Sequence, residues 1–291
     1  MKKNLKIGLF FPIFLLVSMA FLPSQTIVKE SITKEDAAVS KNEDAPKSTG
    51  NVNFQPGEEL VYKIYYNLNF VWIPAGEVTF KISDKDAEYH ISATGRTYSS
   101  YEWFYKVRDQ YDSYIDKVTL LPNLSLRSVN EGNYRLFSKV AYDQKSNKAY
   151  FERGENEQSI KARGTLETKD LMHDVLSIIY YCRTLDYDNA TSGQEYPIKV
   201  LLDEDIHPLK YKFLGREDKK IRDQGKWSTM KFTPQVVSGH VFKEGNEMKI
   251  WASDDANKLP LMIESPVSVG SVKVVLKSWK GLKYDVTAKK N

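Results

Sequence analysis

Leu60-Val61-Tyr62-Lys63-Ile64-Tyr65-Tyr66 is the stretch that decides the fold class. Leu60, Tyr62, Ile64 and Tyr66 fall on one face, and a period of two is that of a half-buried β-strand. Val78, Phe80 and Ile82 repeat the pattern in a second strand, and the link between them, 67–74, carries Phe70, Val71 and Trp72. Both segments are rich in Tyr, Val, Ile and Phe, which fit a pleated surface with one buried side. Working outward, further strands are expected at 89–93, 107–115, 124–129 and 134–142, and polar turn formers at 143–147 lead into 149–151. Strands resume at 196–202, 209–213, 227–232, 248–251, 261–264 and 271–279.

One segment breaks this rhythm. Leu171, Val175, Ile178, Cys182 and Leu185 recur at helical spacing, widened by Met172, Leu176 and Ile179. Asp170 and Asp174 stand at its start and Arg183 near its end, the order that the helix dipole favours. A single amphipathic helix among strands has only the sheet to cover. Its stripe, with Cys182 as a small buried hydrophobe, is expected to seal one side of a curved sheet, while Asp174 falls on the opposite side of the wheel, where truncation would be mild. The expected fold is mainly β: a curved antiparallel sheet, or an incomplete barrel or sandwich, with one central amphipathic helix. It occupies a β-rich domain over 53–285, followed by a C-terminal tail, 286–291.

Ahead of that domain, Lys2, Lys3 and Lys6 precede an uncharged apolar run over 7–22, the arrangement of a secretory signal peptide spanning 1–24. Export to the periplasm or cell envelope is the expected localisation. The same run, extended through Ile27 and Val28, reaches the length of an uncleaved membrane anchor, which is the alternative. Residues 25–52 offer almost no large apolar group and are expected to be a disordered linker. Without the three leader lysines, 39 basic residues face 38 acidic ones, so the sequence pI of 8.7 is no sign of a nucleic-acid partner. The single cysteine excludes an intramolecular disulfide framework and a Cys-rich zinc site.

Chemistry-bearing patterns are sparse. Asp203, Glu204, Asp205 and His207 crowd one loop, but without the glycine spacing of a calcium loop they read as solvated acids, and no metal or cofactor is expected. His173 and Asp174 are neighbours on a helix and point in different directions, so they do not read as an acid–base pair. The chain lacks a Gly-x-Ser-x-Gly elbow, a His-Glu-x-x-His helix and a phosphate-binding glycine loop, and no catalytic residue is assigned. Aromatic content says more, with 18 Tyr, 13 Phe and 5 Trp. Tyr98, Tyr101, Trp103, Phe104 and Tyr105 are too dense for simple alternation, so these rings either plug one end of the sheet or line an apolar groove. Tyr66, Trp72, Tyr101, Trp103 and Phe104 are the candidate ligand-binding residues.

Two ends of the domain carry a family pattern. Phe54-Gln55-Pro56-Gly57-Glu58-Glu59-Leu60-Val61-Tyr62 is followed by Ala75-Gly76-Glu77. Ile250-Trp251-Ala252-Ser253-Asp254-Asp255 leads through Lys258-Leu259-Pro260 to Val269-Gly270-Ser271. Between them stands a helix ending in Tyr180-x-x-Arg183. In these motifs the chain resembles, over 53–285, a bacterial exported family known only as domain of unknown function 3108. The resemblance singles out Gly57, Glu58, Tyr62, Gly76, Arg183, Trp251, Asp254, Asp255, Pro260 and Gly270, and it implies export, a β-rich fold and no established activity. The hairpin over 251–262 is also similar to that of the carriers that localise lipoproteins, incomplete barrels closed by helices around a hydrophobic cavity. Read as residues alone, Asp254 and Asp255 are turn formers and Pro260 opens the returning strand. Three functions follow as expectations. The first is a non-catalytic envelope protein binding an apolar or amphiphilic ligand or a lipidated partner. The second is an assembly module that holds another envelope protein, and the third an envelope hydrolase.

Overall fold

The computed structural model describes residues 52–68, 71–103, 105–235, 247–266 and 270–290. The expected leader, almost all of the expected linker, and Phe104 lie outside them. Alternation in the first strands is explained by a continuous antiparallel meander: β1 (Glu59–Leu68), β2 (Val71–Lys85), β3 (Glu88–Thr97), β4 (Arg108–Asp116), β5 (Pro122–Glu131), β6 (Tyr134–Asp143), β7 (Lys148–Asn156) and β8 (Ser159–Glu167). A short helix, α1 (Ser177–Thr184), separates it from a second meander. That one comprises β9 (Glu195–Leu202), β10 (Asp205–Ile221), β11 (Gly225–Gln235), β12 (Lys249–Ser253), β13 (Pro260–Pro266) and β14 (Ser271–Lys280). The two meanders fuse where β1 pairs with β14, with Leu60 opposite Trp279 and Ile64 opposite Val274. The sheet order is therefore β8-β7-β6-β5-β4-β3-β2-β1-β14-β13-β12-β11-β10-β9. Near the chain end, Ala288 is buried and the two residues of β15 (Lys289–Lys290) pair with β11.

The sheet curls without closing into a barrel. Its β9 edge turns back toward the inner faces of β5 and β7, and side chains bridge the gap. Arg127 of β5 bonds Asp203, and Arg153 of β7 lies 3.5 Å from Glu204. Those two acids form a two-residue turn between β9 and β10 with φ of 52° and 66°, a left-handed geometry that suits a tight hairpin. Residues 172–174 also run along β9, with His173 N–H donating to Lys199 O and Leu201 N–H to His173 O.

Burial explains the interior. Leu60, Tyr62, Ile64, Val78, Ile91, Tyr111, Ile115, Val274 and Leu276 face inward and pack with Val175, Leu176, Ile178 and Tyr180 of the helical segment. A smaller aromatic cluster of Tyr187, Tyr196, Tyr211, Phe213 and Phe232 continues the core beyond the helix end. Among the described residues no helix is long and apolar enough to cross a membrane.

Three expectations change. The helix begins at Ser177, not Leu171, because residues 172–174 are extended along β9 and the Asp174 carboxylate accepts the N–H groups of Leu176 and Ser177, which starts the helix late. Asp174 is buried, not solvent-facing, so its truncation is not mild. β8 had no counterpart in the sequence reading, since none of its nine residues is buried and it shows no apolar alternation.

Candidate functional site

The motif residues converge on one buried ion pair. Arg183, in the last turn of α1, donates from Nη1 and Nη2 to both carboxylate oxygens of Glu58, at 2.6 and 2.9 Å, and the side chains are 3% and 0% exposed. A paired, bidentate geometry is what lets two charges leave water together. The guanidinium also stacks near Tyr180, 5.1 Å from the ring centroid, and donates from Nε to Asn257 O. Burial, foremost, pushes the Tyr62 hydroxyl above its usual range, so it stays neutral beside the pair. Asn53 donates from its amide to the carbonyls of Arg183 and Asn257, and Asn257 donates in turn to Tyr284 O and Asp285 O. Four chain segments distant in sequence thus meet at Glu58 and Arg183: the strap over 52–58, the helix end, the turn after β12 and the segment after β14.

The remaining motif residues build the frame around that hub. Asp255 Oδ1 accepts from Ser253 Oγ and from the N–H groups of Asn257 and Lys258, and Asp254 lies 3.1 Å from Arg216 at the surface. Trp251 is buried and donates from its indole to Glu217. Pro260 starts β13 opposite Ala252, at a bulge. Gly76 and Gly270 permit close backbone approach: an added Cβ would sit 2.4 Å from Arg96 O and 2.1 Å from Asn67 O, respectively, and Gly270 has φ +84°.

The aromatic candidates do not assemble into one groove. Tyr66 is buried in the core, and Trp72 lies on the opposite face of the β1–β2 ladder, with the Lys273 ammonium 4.5 Å from its ring centroid. Tyr101 is half-buried in a 3₁₀ turn, Trp103 is 83% exposed, and Phe104 lies outside the described residues. The acids of the β9–β10 turn are engaged in bridging the sheet, and the described residues contain no cluster of three or more His, Cys, Asp or Glu arranged to hold a metal.

Two polar constellations escaped sequence reasoning. On the outer face, Ser83 Oγ lies 3.3 Å from His90 Nδ1 and His90 Nε2 2.7 Å from Asp112 Oδ1, with the imidazole stacked on Tyr114. The three side chains come from adjacent strands whose N–H groups are engaged in the ladders, so no donor pair is set for an oxyanion. They act as a cross-strand ladder. On the inner face, Ser113 donates to Asp174, Ser177 Oγ lies 3.1 Å from His173 Nδ1, and a cavity of about 20 Å³ sits between Arg127, Ser125, Asp174 and Leu202.

Farther along that face, Asp109 and Glu131 form a buried carboxyl pair. Burial first, then the Asp109 charge and hydrogen bond, push Glu131 up to about 8. The folded state holds a proton there that the unfolded chain releases near pH 4.5, so this contribution to stability is full below pH 4.5 and is lost as pH rises through 8. His173 acts in the opposite sense. Burial lowers its pKa to about 4, and its contribution is full above pH 6.5 and lost as pH falls through 4. Glu131→Gln is therefore expected to flatten the decline in stability between pH 4.5 and 8. Urea melts across that range check it, and a slope equal to that of the wild type would mean the pair shares no proton.

These features define an open, barrel-like β-sheet protein whose interior is closed by a helix and a buried ion pair. The chain belongs to the family described as protein of unknown function (DUF3108), whose model matches residues 61–277. Among solved structures it is similar to a crystal structure of a β-barrel-like protein of domain of unknown function DUF1849 from Brucella abortus. The identity is 9%, the TM-score 0.53, and the match covers 81% of this chain and 100% of that one. At that identity the likeness concerns the fold alone. No curated protein sequence matches the chain.

Proposed function

We propose that this is an exported, non-catalytic protein of the cell envelope that holds another envelope protein by adding one of its extended segments to the free edge of β8. The two ends of the sheet are treated differently, and that difference carries the reading. The β9 edge is bridged at Lys199 and Leu201 by His173 of the same chain. β8 pairs only with β7 among the described residues, and none of its side chains is buried. An uncovered edge offers a row of N–H and C=O groups to an incoming strand, the mode of recognition called β-augmentation. Lys161 and Arg163 on this edge are already paired with Glu155 and Glu152, so main-chain pairing would supply most of the recognition. The cavity beside Arg127 gives the carrier reading no support, because about 20 Å³ admits one or two waters and no acyl chain. The leader read from the sequence supports export.

Replacing Arg163 with a photo-crosslinking phenylalanine and irradiating cells should trap one dominant protein that the same probe at Lys81, on the outer face of β2, does not. An identical background of abundant proteins from both positions would sink the proposal. Stoichiometric amphiphile extracted from the purified protein would return the carrier reading to first place.

A further inference from the structure

We propose that the cavity beside Arg127 is a subsite for one small monoanion, a halide or a carboxylate group, held by the Nε–H and Nη1–H groups of Arg127 and the hydroxyl of Ser125, with Asp174 setting its strength. A guanidinium carries five N–H donors and no acceptor. Arg127 gives Nη2 to Asp203, while Nε and Nη1 have no partner among the described residues, although the side chain is only 9% exposed. A buried donor without an acceptor is destabilising, and Arg127 is one of the residues around the cavity. Tyr111 lies by the guanidinium at 5.9 Å, so an acceptor enters at the edge and not over the face. Ser125 Oγ, 3.3 Å from the Tyr142 hydroxyl, can accept from Tyr142 and donate its own proton into the cavity.

Size and charge narrow the ligand. About 20 Å³ fits a halide or the head of a carboxylate. Asp203 offsets much of the positive charge, and Asp174 lines the same space, so a phosphate or sulfate dianion is disfavoured. Asp174 is faced by Ser113 from β4, Arg127 from β5, Tyr142 from β6 and Asp203 from the β9–β10 turn, with His173 beside it in sequence. Burial raises its pKa, against the opposing hydrogen bonds from Ser113 and from the Ser177 and Leu176 N–H groups. Falling pH removes its negative charge, and anion binding strengthens.

Isothermal titration calorimetry of the full chain with sodium bromide and with sodium acetate, at pH 5.5 and pH 8 and at an ionic strength held with sodium sulfate, tests this. Binding of both anions is expected, tighter at pH 5.5 than at pH 8, in the direction that burial moves the Asp174 carboxyl. The double variant Arg127→Met, Asp203→Asn removes the donors without leaving a lone buried charge and should bind neither anion. Should that variant not fold, Ser125→Ala is expected to weaken acetate binding at least ~3-fold, the loss of one modest hydrogen bond. No binding to the wild type at pH 5.5, unchanged binding by the folded double variant, or unchanged binding by Ser125→Ala overturns the proposal. Native mass spectrometry of protein taken from the envelope separates the two sources. An organic acid that acetate displaces makes the site the acid-binding end of a ligand pocket, and anion binding with no such molecule makes it a free-ion site.

Discussion

Glu58→Ala is expected to destabilise the protein by about 3–5 kcal/mol, because it leaves the Arg183 guanidinium buried without its carboxylate. Thermal melts should fall by roughly 10 °C, at about 2–4 °C per kcal/mol for a domain of this size. The size of the effect comes from the uncompensated charge and not from the worth of the pair itself. Glu58→Gln combined with Arg183→Met should accordingly recover much of the loss, since neither residue then carries a charge out of water. A Glu58→Ala protein within about 1 kcal/mol of wild type, the range of a surface ion pair, would show that water reaches this site.

Ile178→Asp is the second large effect. Ile178 is buried in α1 and belongs to the main core cluster, so the variant loses an apolar side chain and puts an unpartnered carboxylate in its place. Several kcal/mol is expected, a large part of the ~5–15 kcal/mol that holds a typical domain together. Leu171→Ala makes the mild comparison, because Leu171 is half exposed and precedes the helix. Asp174→Ala does not serve, since it removes a carboxylate that accepts from Ser113, Leu176 and Ser177 together. Urea melts of the two variants decide the point: equal midpoints would mean that α1 does not pack on the sheet.

Much of the architecture was legible because burial leaves a period. Leu60 to Ile64 alternates since one side of β1 faces the core, and Val175, Leu176 and Ile178 stand out because a helical segment lies against that core. Where burial fails, so does the signal: β8 is polar throughout and its existence depends on hydrogen bonds to β7, which leave no imprint on residue type. The helix start was misplaced for a related reason. Apolar residues at 171 and 172 extend the helical spacing, but the next residue, His173, pairs with β9, and tertiary pairing overrode the local pattern. Resemblance pointed to Glu58 and Arg183 separately, yet their contact spans 125 positions and has no local signature. Arg127 gave no signal at all, because its partner Asp203 lies 76 residues away in a turn that reads as solvent-facing.

The junction of β1 with β14 also bears on the order in which the molecule can assemble. Nearly every other ladder joins strands consecutive in the chain, so each meander can grow hairpin by hairpin with little loop to close. The central ladder brings Leu60 to Trp279, and no part of it can form until the last long strand exists. Until then β1 is an unprotected edge, and the strap beside it has no Gly281 or Leu282 carbonyl for Gln55 to bond. Folding of the two halves can run early and fast, but their union is the late, non-local step, and a chain ending before Ser271 would present an open, aggregation-prone strand in place of the middle of the sheet.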